Sequence, residues 1–594
     1  MITLASPLVL AQAPGQFVVP DFPWAALSPE LVLFGVGILV LLIDTAGSGK
    51  TVGSDRPHAG RLQVSFVAGV VILACCGVAL WQNAGDVDSQ VPVLSGLIAL
   101  GAVLQFVLTA IWRDRPKTLG ALLTFIGFAA GLGVTIWQWT VYDGQLASAV
   151  DPAQLFVGTD SLLGGMVAVD GVALFSRFSI CLAGMISIPI GFAYMEDRQI
   201  HRGEYYPLLL FAATGMTLLA SSNDLIMVFI AVEILSLALY VMSGIAKRDL
   251  NAQESAVKYF MLGAFSSAIL LYGIALVYGV TGSTNIPEMG VALSGLDAPT
   301  GIVIAAMVLM LVGFAFKTGL VPFHFWTPDV YQGAPTPVTG FMAAATKAAA
   351  FAAFMRVFVG ALAPLQLTWA PVVTGMAVIT MLGGAVLAVV QTDVKRILAF
   401  SAIAHAGYVA IGLVSLSPGT VGGNPEVGRE AVGAMLLYLL IYTFMSIGSF
   451  GVIALFERRV KKSLTLEDLR GLGRRYPAPA MALGLFLISL AGIPGTAGFV
   501  AKFAVFRSGV EAGQFGLVGV AVVSSVIAGF FYLRIMASMF VEDETAMSRQ
   551  VADMSQTAPA MLGLGVAAAV TVALGVAPGA LVNLAQQAGT FAGL

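Results

Sequence analysis

Sixteen apolar stretches, separated by short polar intervals, run through the 594 residues of this chain. A membrane-spanning helix needs about 20 predominantly apolar residues. The pattern predicts an all-α polytopic membrane protein with spans at 27–44, 62–81, 93–112, 118–140, 165–194, 205–220, 223–244, 253–279, 300–330, 336–361, 371–390, 396–416, 431–456, 477–507, 514–541 and 558–583. Charged residues make up only 10% of the chain, against about 25% in an ordinary soluble domain. The longest polar interval, Glu457 to Tyr476, is too short to form such a domain. The net charge of −3 gives no reason to expect a nucleic-acid partner. The 67 glycines suit close helix packing in lipid, where small residues let backbones approach.

No motif for a redox cofactor is visible. Cys75, Cys76 and Cys181 all lie in apolar stretches and form no C-x-x-C pair, so they read as small buried residues. Gly563-Leu564-Gly565-Val566-Ala567-Ala568 matches a loose dinucleotide fingerprint but lies in an apolar helix without the strand it requires. Ile2–Leu10 followed by Ala11-Gln12-Ala13 has the outline of a signal peptide without the basic start. It reads as an uncleaved external extension over 1–26, with cleavage as the alternative.

Basic residues in loops set the orientation. With the N-terminus outside, the inside loops hold twenty: Lys50, Arg56, Arg61, Arg113, Arg115, Lys117, Arg198, Arg202, Lys247, Arg248, Lys395, Arg396, seven between Arg458 and Arg475, and Arg549. The outside loops hold one, Arg429. A miscounted span would scramble this segregation, so it supports sixteen spans with both termini outside.

Charges also lie where hydrocarbon penalises them: Glu233, Lys258, Lys317, Lys347 and Lys502. A lysine near the bilayer centre costs ~3 kcal/mol, so four cost on the order of 12 kcal/mol. Intramembrane ionisable groups are by default candidates for an ion or proton path. Glu233 lies about eleven residues, or ~16 Å, from the inside end of its span. Lys258 follows on the next, antiparallel span, and the turn at Lys247-Arg248 falls midway between them. The two are therefore expected to meet as a pair. Burial and a nearby carboxylate act on a lysine's proton affinity in opposite directions, so such a pair can be tuned.

Two of the long segments carry breaks. Gly313-Phe314-Ala315-Phe316-Lys317-Thr318-Gly319 is followed by Pro322, His324, Trp326 and Pro328. Ala491-Gly492-Ile493-Pro494-Gly495-Thr496-Ala497-Gly498 is followed by Lys502. Each segment reads as two half-helices with a lysine close after the break, and paired interrupted helices point to ion sites. Lys347 follows the proline-rich turn Gly333-Ala334-Pro335-Thr336-Pro337, and small residues around it leave room for water. His405 has the side chain suited to proton relay near neutral pH. Lys395, beside Arg396 at a helix start, reads equally well as a topological anchor. Two stretches also echo each other. Asn223-Asp224 opens a span with Tyr240 sixteen residues on, and Thr392-Asp393 opens another with Tyr408 fifteen on. Five spans per unit would make the units inverted. The expected organisation is an extension (1–26), N-terminal helices (27–200), a first repeat (205–361), a second repeat (371–541) and a last helix (558–583).

These residues in this order resemble a known family. The quoted segments, with Gly203-Glu204-Tyr205-Tyr206, Ala256-Val257-Lys258-Tyr259-Phe260, Val321-Pro322-Phe323-His324 and Lys395-Arg396-Ile397-Leu398-Ala399, look like the antiporter-like subunits of proton-pumping NADH:quinone oxidoreductase, respiratory complex I. Ser28-Pro29-Glu30-Leu31 and Gly164-Gly165-Met166 through Asp170-Gly171 make it most similar to subunit N. The chain stops soon after its last span, without the lateral helix of subunit L. The resemblance implies that Glu233 and Lys258 pair in one channel. Lys317 would sit on the first broken helix, Lys347 would connect the channels, and Lys502 would be the terminal site. It includes Lys395 and His405. It implies FMN, iron–sulfur clusters, NAD and quinone in partner subunits and no cofactor in this chain. The partners would be subunit M and the small membrane subunits, in a bacterial inner membrane. Members of this type usually have fourteen spans, which puts two extra within 62–140. A subunit of a multi-part sodium/proton antiporter is the alternative, and a passive scaffold would leave the broken helices unexplained.

Overall fold

The computed structural model describes residues 26–48, 116–147, 165–198, 200, 203–296, 298–416, 425–458, 460, 463–540 and 558–589. The chain is all-α. Its helices are α1 (Ser28–Ser48), α2 (Pro116–Ala147), α3 (Gly171–Asp197), α4 (Tyr205–Ser221), α5 (Leu225–Ser243), α6 (Leu250–Thr281), α7 (Ile286–Ser294), α8 (Gly301–Thr318), α9 (Trp326–Gly333), α10 (Thr336–Met355), α11 (Gln366–Val389), α12 (Val394–Ser415), α13 (Pro425–Glu457), α14 (Pro477–Ala491), α15 (Ala497–Glu511), α16 (Phe515–Phe540), α17 (Ala558–Val576) and α18 (Gly579–Ala588). Eleven helical stretches among the described residues are long and apolar enough to cross a membrane. The expected spans 62–81 and 93–112, and Cys75 and Cys76, lie outside the described residues. Cys181 is buried, as its apolar setting implied.

Short polar residues fix where these helices begin. Asp224 accepts from Ile226 N at 2.7 Å and Asp393 from Arg396 N at 3.0 Å, each satisfying an orphan amide of the first turn. The same two residues anchor matching bridges. Leu225 N donates to Thr284 O and Ile286 N to Asn223 O; Val394 N donates to Leu464 O and Leu466 N to Thr392 O. The two span openings that echo each other in sequence are thus built alike.

Both predicted breaks are present. α8 ends at Gly319 (φ 79°) and α14 at Gly492 (φ 84°), in a left-handed conformation that favours glycine. Leu320 N returns to Ala315 O, and Ile493 N to Ile488 O. The lysines differ from expectation. Lys502 follows its break, but Lys317 precedes Gly319, in the last turn of the first half-helix. Two boundaries also differ. The expected span 165–194 starts at Gly171, because Asp170 caps it and Val167 is held in a bridge to Ser222. The expected span 558–583 stops at Val576, and Pro578 separates it from the short α18.

Three apolar helices are enclosed by protein over their most apolar stretches. Those stretches of Thr336–Ala361, Val394–Ser415 and Val427–Glu457 are fully buried, with Arg396 and Arg429 reaching outward near the ends, whereas only about a third of the corresponding stretch of Phe515–Phe540 is buried. α13 packs against α10, α12, α3 and α15. A helix that is apolar all round and enclosed by other helices is a core helix. Lys347, Lys395, His405 and Glu457, which lie on these three, are therefore buried inside the protein.

Candidate functional site: a buried row of amines

Lys317, Lys347 and Lys502 are each 5% exposed, and His405 is 3% exposed. Lys317 Nζ donates to Ser236 Oγ at 2.5 Å and lies 5.7 Å and 5.9 Å from the ring centres of Tyr240 and Tyr259. Glu233, one turn before Ser236 on α5, is a carboxylate within its electrostatic reach. From Tyr259 an aromatic series leads inward. Tyr259 stacks on Trp326 at 4.7 Å, Trp326 meets Tyr331 at 6.1 Å, and Tyr331 is within electrostatic reach of Tyr442 on α13.

Lys347 sits under Tyr442, with Nζ 5.3 Å from that ring and donating to Ala402 O on α12. His405 is three residues further along α12. Its Nδ1 is 2.6 Å from Tyr438 Oη, and its Nε2 is 3.2 Å from Tyr532 Oη. It lies within electrostatic reach of both Lys347 and Lys502. Lys502 Nζ donates to Ser525 Oγ at 2.5 Å and to Ala491 O at 2.9 Å, and lies 4.9 Å from the Tyr408 ring. Tyr408 Oη is 2.9 Å from Ser524 Oγ. Glu233 Oε1, Tyr259 Oη and Thr346 Oγ1 are buried without a hydrogen-bond partner among the described residues. Buried polar atoms of this kind are normally satisfied by water.

Lys258 stands apart. Its side chain is 40% exposed and its Nζ is 2.7 Å from both Glu254 and Asp329. Among the described residues no ion pair joins Glu233 to Lys258, and Glu233 is within electrostatic reach of Lys317 instead. Equal depth on neighbouring helices does not give equal azimuth. Tyr259, one residue on, takes the inward direction on α6, and Lys258 is turned toward α9. Asp329 Oδ1 also accepts from Arg396 Nη1 at 2.6 Å, and Gln332 joins Arg396 to Asp393.

Lys395 is buried rather than anchored at a surface. It lies 3.5 Å from Glu457 and donates to Ala334 O at 3.2 Å. Sequence reading gave no role to Glu457 or Asp329. Glu457 ends an apolar run and looks like the first residue of a loop, while Asp329 is hidden among the prolines after the first break. Two other buried pairs tie helices together at their ends: Arg177 with Glu30 at 2.8 Å and Arg356 with Asp170 at 2.5 Å. No group of His, Cys, Asp and Glu able to hold a metal ion occurs among the described residues.

Known proteins resemble the chain along its length. Residues 222–528 match the family described as "NADH:quinone oxidoreductase/Mrp antiporter, TM". The chain is 38% identical over 592 residues to the NADH-quinone oxidoreductase subunit N of Rhodococcus opacus (strain B4), covering 99% of each. The chain belongs to the subunit N family of NADH-quinone oxidoreductases. A chain of respiratory complex I from Thermus thermophilus, solved with bound aureothin, superposes with a TM-score of 0.63 at 32% identity, over 82% of this chain and 98% of that one. A chain of the Mrp complex from Dietzia sp. DQ12-45-1b reaches 0.65 at 23% identity, over 83% and 95%, and shares the fold. In this subunit N family chain, the matched region 222–528 contains all seven residues singled out from the sequence, from Glu233 to Lys502.

Proposed function

We propose that this chain is the membrane subunit N of a proton-translocating NADH:quinone oxidoreductase and moves protons along the buried row of amines. NADH oxidation and quinone reduction take place in partner subunits. The observation that carries the reading is the placement of His405 within reach of both Lys347 and Lys502, all three side chains being buried. A scaffold gains nothing from this, because an uncompensated buried amine destabilises a fold.

Each amine takes up a proton only when its neighbours allow it, so the row behaves as a set of coupled sites. Glu233 is the carboxylate within electrostatic reach of Lys317. Tyr442 and His405 bring a proton from Lys347 toward Tyr408, Ser525 and Lys502. Water reaching Glu233, Tyr259 and Thr346 would complete the hydrogen-bonded track. Lys258, paired with Asp329 and Glu254, has a peripheral place at the rim of that track.

The arrangement we favour has sixteen spans with both termini on the outer side of a bacterial inner membrane, and inverted repeats at 205–361 and 371–541. The matched caps and bridges at Asp224 and Asp393, and the two glycine-capped breaks, support the repeats. Flavin, iron–sulfur clusters and NAD then belong to other subunits, and antiporter-like subunit M and the small membrane subunits are the expected neighbours. The alternative, a subunit of a sodium/proton antiporter, shares the fold. Purification through a tag on this chain decides between them. Flavin, clusters and NADH-driven proton pumping that persists without sodium are the expected result. An assembly lacking flavin and clusters, with sodium-dependent exchange, contradicts it.

A further inference from the structure

Glu457 is the last residue of α13, is 1% exposed, and has no place in the proton path described above. Its surroundings are unusual for a buried carboxylate. Its closest partner is a neutral group: Thr336 Oγ1 donates to Oε2. Two cations face the other oxygen without close contact, Lys395 Nζ at 3.5 Å and Arg198 Nη2 at 3.9 Å from Oε1. A committed structural pair is tighter, as Arg177 and Glu30 are at 2.8 Å. Arg198 is 13% exposed and within electrostatic reach of Asp249, so it leads from the carboxylate toward the protein surface.

The position of Glu457 relative to the row of amines gives it a use. Thr336 is the first residue of α10, and Lys395 the second of α12. The carboxylate therefore sits at the start of the two helices that carry Lys347 and His405. Those residues lie eleven and ten positions further on, or ~16 Å and ~15 Å along the helix axes. α13 itself supplies the connection. Tyr442, Ser446 and Ser449 are buried at spacings of four and three on one face, which continues through Ile453 to Glu457. Tyr442 ends that face 5.3 Å from Lys347 Nζ, with its ring 5.1 Å from that of His405.

We propose that Glu457 is the proton-loading carboxylate for Lys347. A proton from water at the Arg198 surface binds the Glu457 carboxylate. It passes along the hydroxyl face of α13, through intervening water, to the neutral amine of Lys347, which becomes an ammonium. Glu457 returns to its ionised form, stabilised by Lys395, Arg198 and two helix N-termini. The inference rests on the proposed proton path through Lys347, and its test separates the two.

Assembled complexes carrying Glu457→Gln, Glu457→Asp or Lys347→Met are reconstituted in vesicles, and NADH-driven proton pumping is measured. Glu457→Gln is expected to slow pumping about tenfold or more, while Glu457→Asp, which can still carry a proton, keeps at least about half of it. A small weak acid such as azide, added on the Arg198 side, should restore pumping to Glu457→Gln, which a merely structural role would not permit. If Lys347→Met is blocked while Glu457→Gln pumps normally, the assignment of Glu457 fails and the path stands. If Lys347→Met pumps normally, the path fails and Glu457 with it. Equal loss in the Gln and Asp variants without azide rescue makes Glu457 a structural ion and overturns the proposal. Should the Gln variant fail to assemble, the unmodified complex is treated with dicyclohexylcarbodiimide, which adds to carboxyl groups that become protonated in apolar surroundings. An adduct on Glu457 formed during turnover, with pumping lost, supports loading; a permanently ionised Glu457 without adduct contradicts it.

Discussion

The two broken helices reach the same chemical end by different routes. At the first break Lys317 comes from the half-helix before the glycine; at the second, Lys502 comes from the half-helix after it. Yet each ammonium donates to a serine at 2.5 Å, Ser236 or Ser525, and each lies over a tyrosine, Tyr240 or Tyr408. Those tyrosines stand sixteen and fifteen residues after the matching capping aspartates. What is reproduced is the place of the amine rather than its position in the sequence. The difference lies in the counter-charge. Lys317 has Glu233 nearby, whereas Lys502 has no carboxylate partner among the described residues and shares its electrostatic field with His405. The first site is compensated and the second is not, so the two should differ in how readily they release a proton.

That contrast can be broken experimentally. The largest effect is expected from Lys317→Met and Lys502→Met, each removing a proton site outright and lowering NADH-driven pumping by about a hundredfold in vesicles. Normal pumping in either would remove its break from the path. Glu233→Gln follows. It takes away the counter-charge of Lys317 alone, so pumping should fall about tenfold, while the complex still assembles. An equal loss from substituting Tyr408 with Phe would mean that the carboxylate is not what distinguishes the sites. Ser236→Ala and Ser525→Ala each lose one hydrogen bond, worth ~1 kcal/mol, and should slow pumping about fivefold to a similar degree. A large inequality between them would show that the two amines are held differently after all. The smallest effect belongs to Lys258→Met. Its half-exposed pairs are worth about 0–1 kcal/mol, so pumping should change less than about twofold. A block there would restore Lys258 to the centre of the path.

Much of this arrangement was legible in the sequence, because its signals are local. The apolar lengths gave the helices, Asp224 and Asp393 marked their starts, and Gly319 and Gly492 marked the breaks. The burial of Lys317, Lys347 and Lys502 followed from the cost of charge in oil. What could not be read was azimuth. Glu233 and Lys258 share a depth, but the direction of each side chain depends on which neighbour the helix packs against, and α9 supplied Asp329 to Lys258. Boundaries set by contact were missed for the same reason, as at Gly171 and Pro578. Glu457 was hidden because it follows an apolar run and precedes a basic loop. Only the fold shows that α13 ends inside the protein, beneath Lys347, rather than at its surface.

The central claim is that protons cross through the enclosed helices by way of Lys347. Lys347→Met removes the amine proposed to connect the two repeats and leaves a side chain of similar shape at a buried position. The measurement is proton pumping per NADH oxidised by the assembled variant complex in sealed vesicles. The account predicts that the complex assembles with its flavin and clusters while pumping and the quinone reduction coupled to it fall together. Pumping at the unmodified rate and ratio would contradict it.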